Sequence, residues 1–266
     1  MAFEHLLIHM TDAGVRVITL NRPDKLNAVN RVLAHEFPIA MREAGEDEAV
    51  RCVLITGAGR GFCAGLELDS SQIALSAKAK SRTELIDDLE WVGRWVLSMR
   101  GCPVPVVAAI NGPAAGAGFA MTLAADVRVM SEAAVMTPGY ARIAASPDAG
   151  MTWLLPRIVG SARATELIFS ARDIKFEEAT RIGLVAASLP AEGFDDAALA
   201  HATRLAQGPT VAYIHTKRLL NQAFDVDLTT QLKAELSLIR QCFATEDSRE
   251  AIKAFGEKRK PIFQGK

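Results

Sequence analysis

Apolar residues along this chain follow two rhythms. Short continuous runs predict buried strands at Val15 to Leu20, Val50 to Thr56, Val106 to Ile110 and Asp126 to Met130. Between them, apolar positions three and four apart predict helices. One lies near Ala28 to Ala44, where Pro38 predicts a kink or a break. Another is Glu84 to Met99, with Leu85, Leu89, Val92 and Val96 on one face, ended by Gly101-Cys102-Pro103-Val104-Pro105. Asn21-Arg22-Pro23-Asp24 predicts a turn, and Ser70 to Thr83, polar and alanine-rich without a period, predicts a flap over a cleft. Strands alternating with helices argue for an α/β fold with parallel pairing. From about Asp195 the pattern is helical only, including Asp227 to Thr245 and Arg249 to Glu257. This divides the chain into a core, 1–195, and a helical region, 196–266, suited to oligomer contacts.

Composition narrows the class. A chain of 266 residues, half of them hydrophobic, can bury a sizeable core. Its formal charge of −1 lacks the basic excess of a nucleic-acid binder. No apolar run approaches the ~18 residues of a membrane span. Met1-Ala2-Phe3-Glu4-His5 resembles neither a signal nor a transit peptide. Cys52, Cys63, Cys102 and Cys242 have no metal-like spacing and read as thiols of a reducing compartment, which places the protein in the cytoplasm.

The candidate chemistry lies in two glycine-alanine loops, Gly61-Phe62-Cys63-Ala64-Gly65-Leu66 and Asn111-Gly112-Pro113-Ala114-Ala115-Gly116-Ala117-Gly118. Each follows a predicted strand and precedes a segment able to start a helix. Small residues admit close approach of backbone N–H groups, and a helix start leaves donors unpartnered. Two such donors aimed at one point stabilise a developing oxyanion. Tight strand-to-helix packing explains the same residues without any ligand. A dinucleotide site fits poorly, because Phe62 occupies the third glycine position and the acidic residue expected further on is missing. The five histidines lie outside both loops, against a Ser-His-Asp hydrolase.

Asp148, in Ser146-Pro147-Asp148-Ala149-Gly150 before an apolar helix, reads either as an N-cap or as an acid–base group. Glu67 and Asp69 read as a carboxylate pair or as solvated charges at a helix start. Tyr140 and Trp153 read as packing residues with polar tips, and Trp91 and Trp95, one turn apart, as core or subunit contacts. Glu257-Lys258-Arg259-Lys260 reads as a solvated face able to hold a phosphate.

Taken with Asn21-Arg22-Pro23-Asp24-Lys25-Leu26-Asn27-Ala28, Gly57-Ala58-Gly59-Arg60-Gly61-Phe62-Cys63-Ala64-Gly65 and Ser248-Arg249-Glu250, these motifs resemble the crotonase superfamily, the enoyl-CoA hydratases and isomerases, nearly end to end. Pro147 to Arg157 and Ala114 to Gly118 look most like the ring 1,2-epoxyphenylacetyl-CoA isomerases. The resemblance implies the crotonase (ClpP-like) spiral of ββα turns, an α/β fold with a C-terminal helical trimerisation region that forms homotrimers or dimers of trimers. It implies an acyl-CoA thioester substrate, with no cofactor beyond the coenzyme A that the substrate carries and no metal.

By motif position the thioester oxygen would be held by the N–H groups of Leu66 and Ala117, the latter on the helix opened by Gly116. Ala28, Ala64, Gly65 and Leu68 would line the CoA and acyl path with Tyr140. Ala64 would lie at the adenine, and Lys25 and a neighbouring subunit's Lys258 would meet the phosphates. The two glutamates of the hydratases correspond to Ala120 and Tyr140, whereas Asp148 falls where the isomerases place their catalytic aspartate. The favoured expectation is therefore isomerisation through a thioester enolate, moving a double bond or opening a ring epoxide. The alternatives are a 2-enoyl-CoA hydratase using Asp148 and Tyr140, and a silent acyl-CoA-binding protein. A dehalogenase is disfavoured because Glu84 to Met99 contains no histidine.

Overall fold

A computed structural model of the chain describes residues 3–68 and 89–266. The expected flap, Ser70 to Thr83, lies outside these residues, as do Asp69 and the first part of the Glu84 to Met99 helix. The main sheet has six strands in the order β1 (Leu6–Met10), β2 (Val15–Leu20), β3 (Cys52–Gly57), β4 (Val106–Ile110), β6 (Val127–Ser131), β9 (Ala187–Leu189). Only β1 is antiparallel. Strands join the sheet in chain order, so the chain advances as a spiral rather than doubling back. A smaller sheet holds β5 (Ala114–Ala115), β7 (Val135–Thr137) and β8 (Ile174–Lys175).

Strand periodicity sorts the core into two layers. Ile18, Leu20, Val53, Ile55, Val106, Ala108, Ile110 and Met130 face one side. There they pack with α1 (Arg31–Glu46), α2 (Glu90–Gly101) and α3 (Ala117–Ala124). The alternate residues Val15, Val17, Cys52, Leu54, Val107, Ala109 and Val129 pack against a later helix, Phe194–Ala206, through Phe194, Ala198, Ala202 and Ala206. Residue 195, the expected end of the core, falls inside that helix.

Two expectations change. The first helix is capped by Asn30, whose side chain accepts the Leu33 amide, and it runs unbroken through Pro38. Proline removes the N–H that would bond the Ala34 carbonyl. The Trp95 indole N–H donates to that carbonyl at 2.9 Å and restores the lost bond. Trp95 also stacks on Phe37 at 4.4 Å between ring centres, with Trp91 edge-on at 5.7 Å, so this pair serves the packing. Its first strand, β1, and the four short strands β5, β7, β8 and β9 are too brief or too polar to stand out in the sequence. All four cysteines are free thiols; burial pushes the Cys63 thiol up to about 12.

Beyond β7 come α4 (Met151–Val159), α5 (Ser161–Ser170), α6 (Phe176–Arg181), α7 (Phe194–Ala206), α8 (Thr210–Gln222), α9 (Leu228–Phe243) and α10 (Glu246–Gly256). No helix among the described residues is long and apolar enough to cross a membrane. A buried ion pair pins α8 to the core. The Lys217 ammonium meets Asp126 Oδ2 at 2.7 Å and donates to the Met99 and Val104 carbonyls at 3.1 Å each. Asp126 Oδ2 also accepts the Val106 amide at 2.8 Å. Replacing Lys217 by Met strands a half-buried carboxylate and two carbonyls. Loss of one partner of a buried pair is worth ~3–5 kcal/mol. Urea unfolding of Lys217→Met should show that loss, and a midpoint equal to wild type would contradict it.

Candidate active site

The two glycine loops are zipped together by their backbones. Cys63 and Ala114 form a parallel bridge. The Phe62 and Cys63 amides donate to the Pro113 carbonyl at 3.1 Å, and the Ala115 amide donates to the Cys63 carbonyl at 2.9 Å. A Cβ at Gly118 would overlap the Cys63 carbonyl, and one at Gly112 would overlap that of Arg60, so only glycine allows this approach.

Two asparagines lock the strand ends beneath the loops. Asn27, fully buried and at φ 57°, accepts the Arg22 amide and donates to the Ala58 and Gly61 carbonyls. Asn111 accepts the Gly57 amide and donates to the Gly57 and Gly59 carbonyls. Both residues stand in the motifs above, yet no side-chain pattern in the sequence points to this role. Only Asn111 carried a local signal, standing directly before the second glycine loop; Asn27 has no glycine near it in the sequence.

This zipper brings the Leu66 and Ala117 amides to one place. A Cβ built on Gly65 would lie 3.4 Å from the Ala117 nitrogen and 2.7 Å from the Ala115 oxygen. The Leu66 nitrogen is bonded to the next backbone carbon of that same Gly65. Leu66 is fixed by a bridge to Val29, in which the Val29 amide donates to the Gly65 carbonyl and the Glu67 amide donates to the Val29 carbonyl. That pattern leaves the Leu66 amide outside the ladder. The Ala117 amide is the first in α3, ahead of any intrahelical acceptor. Neither donates to any group among the described residues. Gly116, at φ 52° and ψ −122°, supplies the turn that aims α3, and its own amide is held by the Thr137 carbonyl at 3.0 Å.

Tyr140 and Asp148 complete the cluster. Ala115 pairs with Thr137, and Gly139 lies against Gly116, so the chain reaches Tyr140 directly beside the start of α3. A short 3-10 turn, Tyr140–Ile143, then leads back to Asp148. Gly150 caps α4 with no side-chain bond, which removes the N-cap reading of Asp148. The Asp148 side chain is exposed, and its Oδ1 accepts the buried Tyr140 hydroxyl at 2.5 Å. Oδ2 has no hydrogen-bond partner among the described residues. Ala120 is fully buried one turn into α3.

The remaining expected positions spread outward. Ala28 is buried, Ala64 half-buried, and Leu66 and Leu68 expose 41% and 59% of their surface. The Ala64 amide is bound to the Leu26 carbonyl at 2.9 Å. Glu67 is committed to Arg22 at 2.8 Å and to the exposed Lys25 at 3.7 Å, so it is no free acid. Arg22 also donates to the Ala28 carbonyl, tying the first turn to the loop. Arg259 is held by Glu250 and Glu257 at 2.6 Å each, whereas Lys258 is exposed and makes no ion pair among the described residues. Within one chain the structure does not bring Lys258 into contact with the loops.

A spiral α/β core with paired glycine loops defines the crotonase class of fold. The enoyl-CoA hydratase/isomerase family model matches residues 10–266, and the chain belongs to that family. A probable enoyl-CoA hydratase of Rhodobacter capsulatus is 37% identical over 263 residues, covering 98% of this chain and 99% of that protein. The 1,2-epoxyphenylacetyl-CoA isomerase of Escherichia coli is 34% identical over 263 residues, covering 99% of each. The crystal structure of an enoyl-CoA hydratase from Bacillus anthracis superposes with a TM-score of 0.87 at 31% identity, over 99% of this chain and 100% of that one.

Burial and the hydrogen bond to Asp148 both push the Tyr140 phenol well above its ordinary range near ~10. The folded state therefore holds this proton more tightly than the unfolded chain. The resulting stability is full below ~10 and falls as pH rises beyond it. Tyrosinate absorbance in wild type and Tyr140→Phe should rise identically until unfolding begins. A missing component in Tyr140→Phe below that point would show that the phenol ionises in the folded protein.

Proposed function

We propose that the chain isomerises an unsaturated or ring-epoxide acyl-CoA thioester through an enolate, or a similarly polarised state. The reading rests on the Leu66 and Ala117 amides, which flank Gly65 and have no acceptor among the described residues. Directed at a thioester oxygen, each such donor is worth ~2.7–4 kcal/mol of barrier. The dipole of α3 adds to the same end. Asp148 moves the proton from one carbon to another with its free Oδ2. Tyr140 fixes the carboxylate and stays protonated. An isomerisation consumes no water, so one carboxylate suffices where Ala120 has no proton to give. Ala28, Ala64, Gly65 and Leu68 line the route of the CoA ester, which is the only coenzyme the reaction needs. Lys25 meets its phosphates, and the free thiols fit a cytoplasmic setting.

Asp148→Asn should keep CoA-ester affinity and lose about 100- to 10,000-fold in turnover, the usual worth of a general acid–base group. Assays with a 3-enoyl-CoA and an epoxyphenylacetyl-CoA check this, and wild-type-like rates would remove Asp148 from the mechanism.

A 2-enoyl-CoA hydratase is the second reading, favoured by the name of the Rhodobacter relative and by the Tyr140–Asp148 pairing. Against it, a phenol held protonated by burial is a poor base for water. Crotonyl-CoA in water labelled in both its oxygen and its hydrogens separates the two. Label as a hydroxyl at C3 supports hydration, and its absence together with hydrogen exchange at carbon supports isomerisation.

We further propose a homotrimer or a dimer of trimers. Leu228, Leu232, Leu236 and Phe243 follow α9 at helical spacing and are exposed, as is Phe255. A contiguous apolar stripe of this kind seeks a partner. In such an assembly Lys258 would reach a neighbour's phosphates. Light scattering should give three or six chains, and a monomer would exclude that role for Lys258.

A further inference from the structure

A second cavity, of about 370 Å3, lies under the far end of α3, between the core and α8. It falls within the ~300–1,000 Å3 of small-molecule sites. Its lining carries four cations, Arg100, Arg128, Arg157 and Lys217, against one carboxylate, Asp126. Two of the cations are spent. Lys217 is bound to Asp126, and Arg128 donates to the Leu184, Thr122 and Ala125 carbonyls.

Arg100 is different. It is half-buried in the last turn of α2, and its guanidinium makes no hydrogen bond or ion pair among the described residues. Asp126 and Asp225 attract it without coming within ion-pair distance, and burial lowers its proton affinity. A partly desolvated cation without an anion is costly. Arg157 lies over the Trp153 ring at 3.7 Å and donates one N–H to the Trp153 carbonyl, leaving the rest of its fork open. Most of the other lining is apolar, Trp153, Leu220 and Phe224 among it, beside the polar Tyr213, Thr216 and Asn221.

We infer that this cavity binds an amphipathic carboxylate, such as a medium-chain fatty acid, with the carboxylate on Arg100 and the hydrocarbon against Trp153, Leu220 and Phe224. A small inorganic anion would leave the apolar wall unused. A neutral hydrocarbon would leave the guanidinium unpaired. Arg100 reads carboxylate geometry through two parallel N–H groups, and Arg157 adds a second cation to the same lining. The site is separate from the paired glycine loops, whose residues do not line the cavity.

Calorimetric titration of the intact protein with decanoate tests this. Saturable binding at one site per chain is expected, weakened about tenfold or more by Arg100→Gln and less by Arg100→Lys. Leu220→Ala should also weaken it, and the affinity for acetoacetyl-CoA should not change in any of these variants. Should Arg100→Gln fail to fold, the lysine and Leu220 variants carry the test. The inference is overturned by absence of saturable binding or by a folded Arg100→Gln protein with wild-type decanoate affinity. Competition between decanoate and acetoacetyl-CoA would overturn it too, by placing the acid in the thioester site. So would dissociation of the oligomer in Arg100→Gln, which would make Arg100's anion a residue of a second copy.

Discussion

The structure depends on one close backbone approach, the bridge between Cys63 and Ala114. Two loops that leave separate strands are held at hydrogen-bonding distance over several residues, and glycines on both sides make this possible. The bridge uses up the amides of Phe62, Cys63 and Ala115 and leaves those of Leu66 and Ala117 over. Free donors in a folded protein usually signal a missing acceptor. Here the scaffold creates the vacancy itself, since a parallel bridge engages alternate peptide groups and a helix start has no acceptors for its first donors.

The same economy governs the acid. Asp148 sits on an exposed stretch, yet its carboxylate is oriented by a buried phenol anchored in the core. Tyr140 supplies no base of its own. It sets the direction of a carboxylate on an exposed stretch ahead of α4. Ala120 is fully buried and brings no proton, and the Tyr140 phenol acts as a brace for Asp148.

Legibility in the sequence varied with the range of the interaction. Strand runs such as Val106 to Ile110 and the parallel α/β pattern were plain, because burial on both faces leaves an unbroken apolar run. The glycine loops were visible for the same local reason. Pro38 misled, since the indole that compensates it comes from Trp95, sixty-one positions along in the bond's own span. Asp148 was ambiguous between cap and acid, because both roles call for a short carboxylate before an apolar helix. Asn27 and Asn111 were quoted without purpose, as their partners are carbonyls that no side-chain pattern reveals.

What the sequence by itself determined is the inventory: the family, the spiral of strands and helices, the small residues that allow backbones to touch, and a short carboxylate before an apolar helix. Tertiary structure decided the pairings. It chose which amides stay free, gave Asp148 to Tyr140 rather than to the helix end, and committed Glu67 to Arg22. It also left Arg100 without an anion in an apolar cavity. The division has a physical cause. Periodicity and composition are local properties of the chain, whereas hydrogen-bond satisfaction and desolvation belong to groups that meet only after the chain has folded.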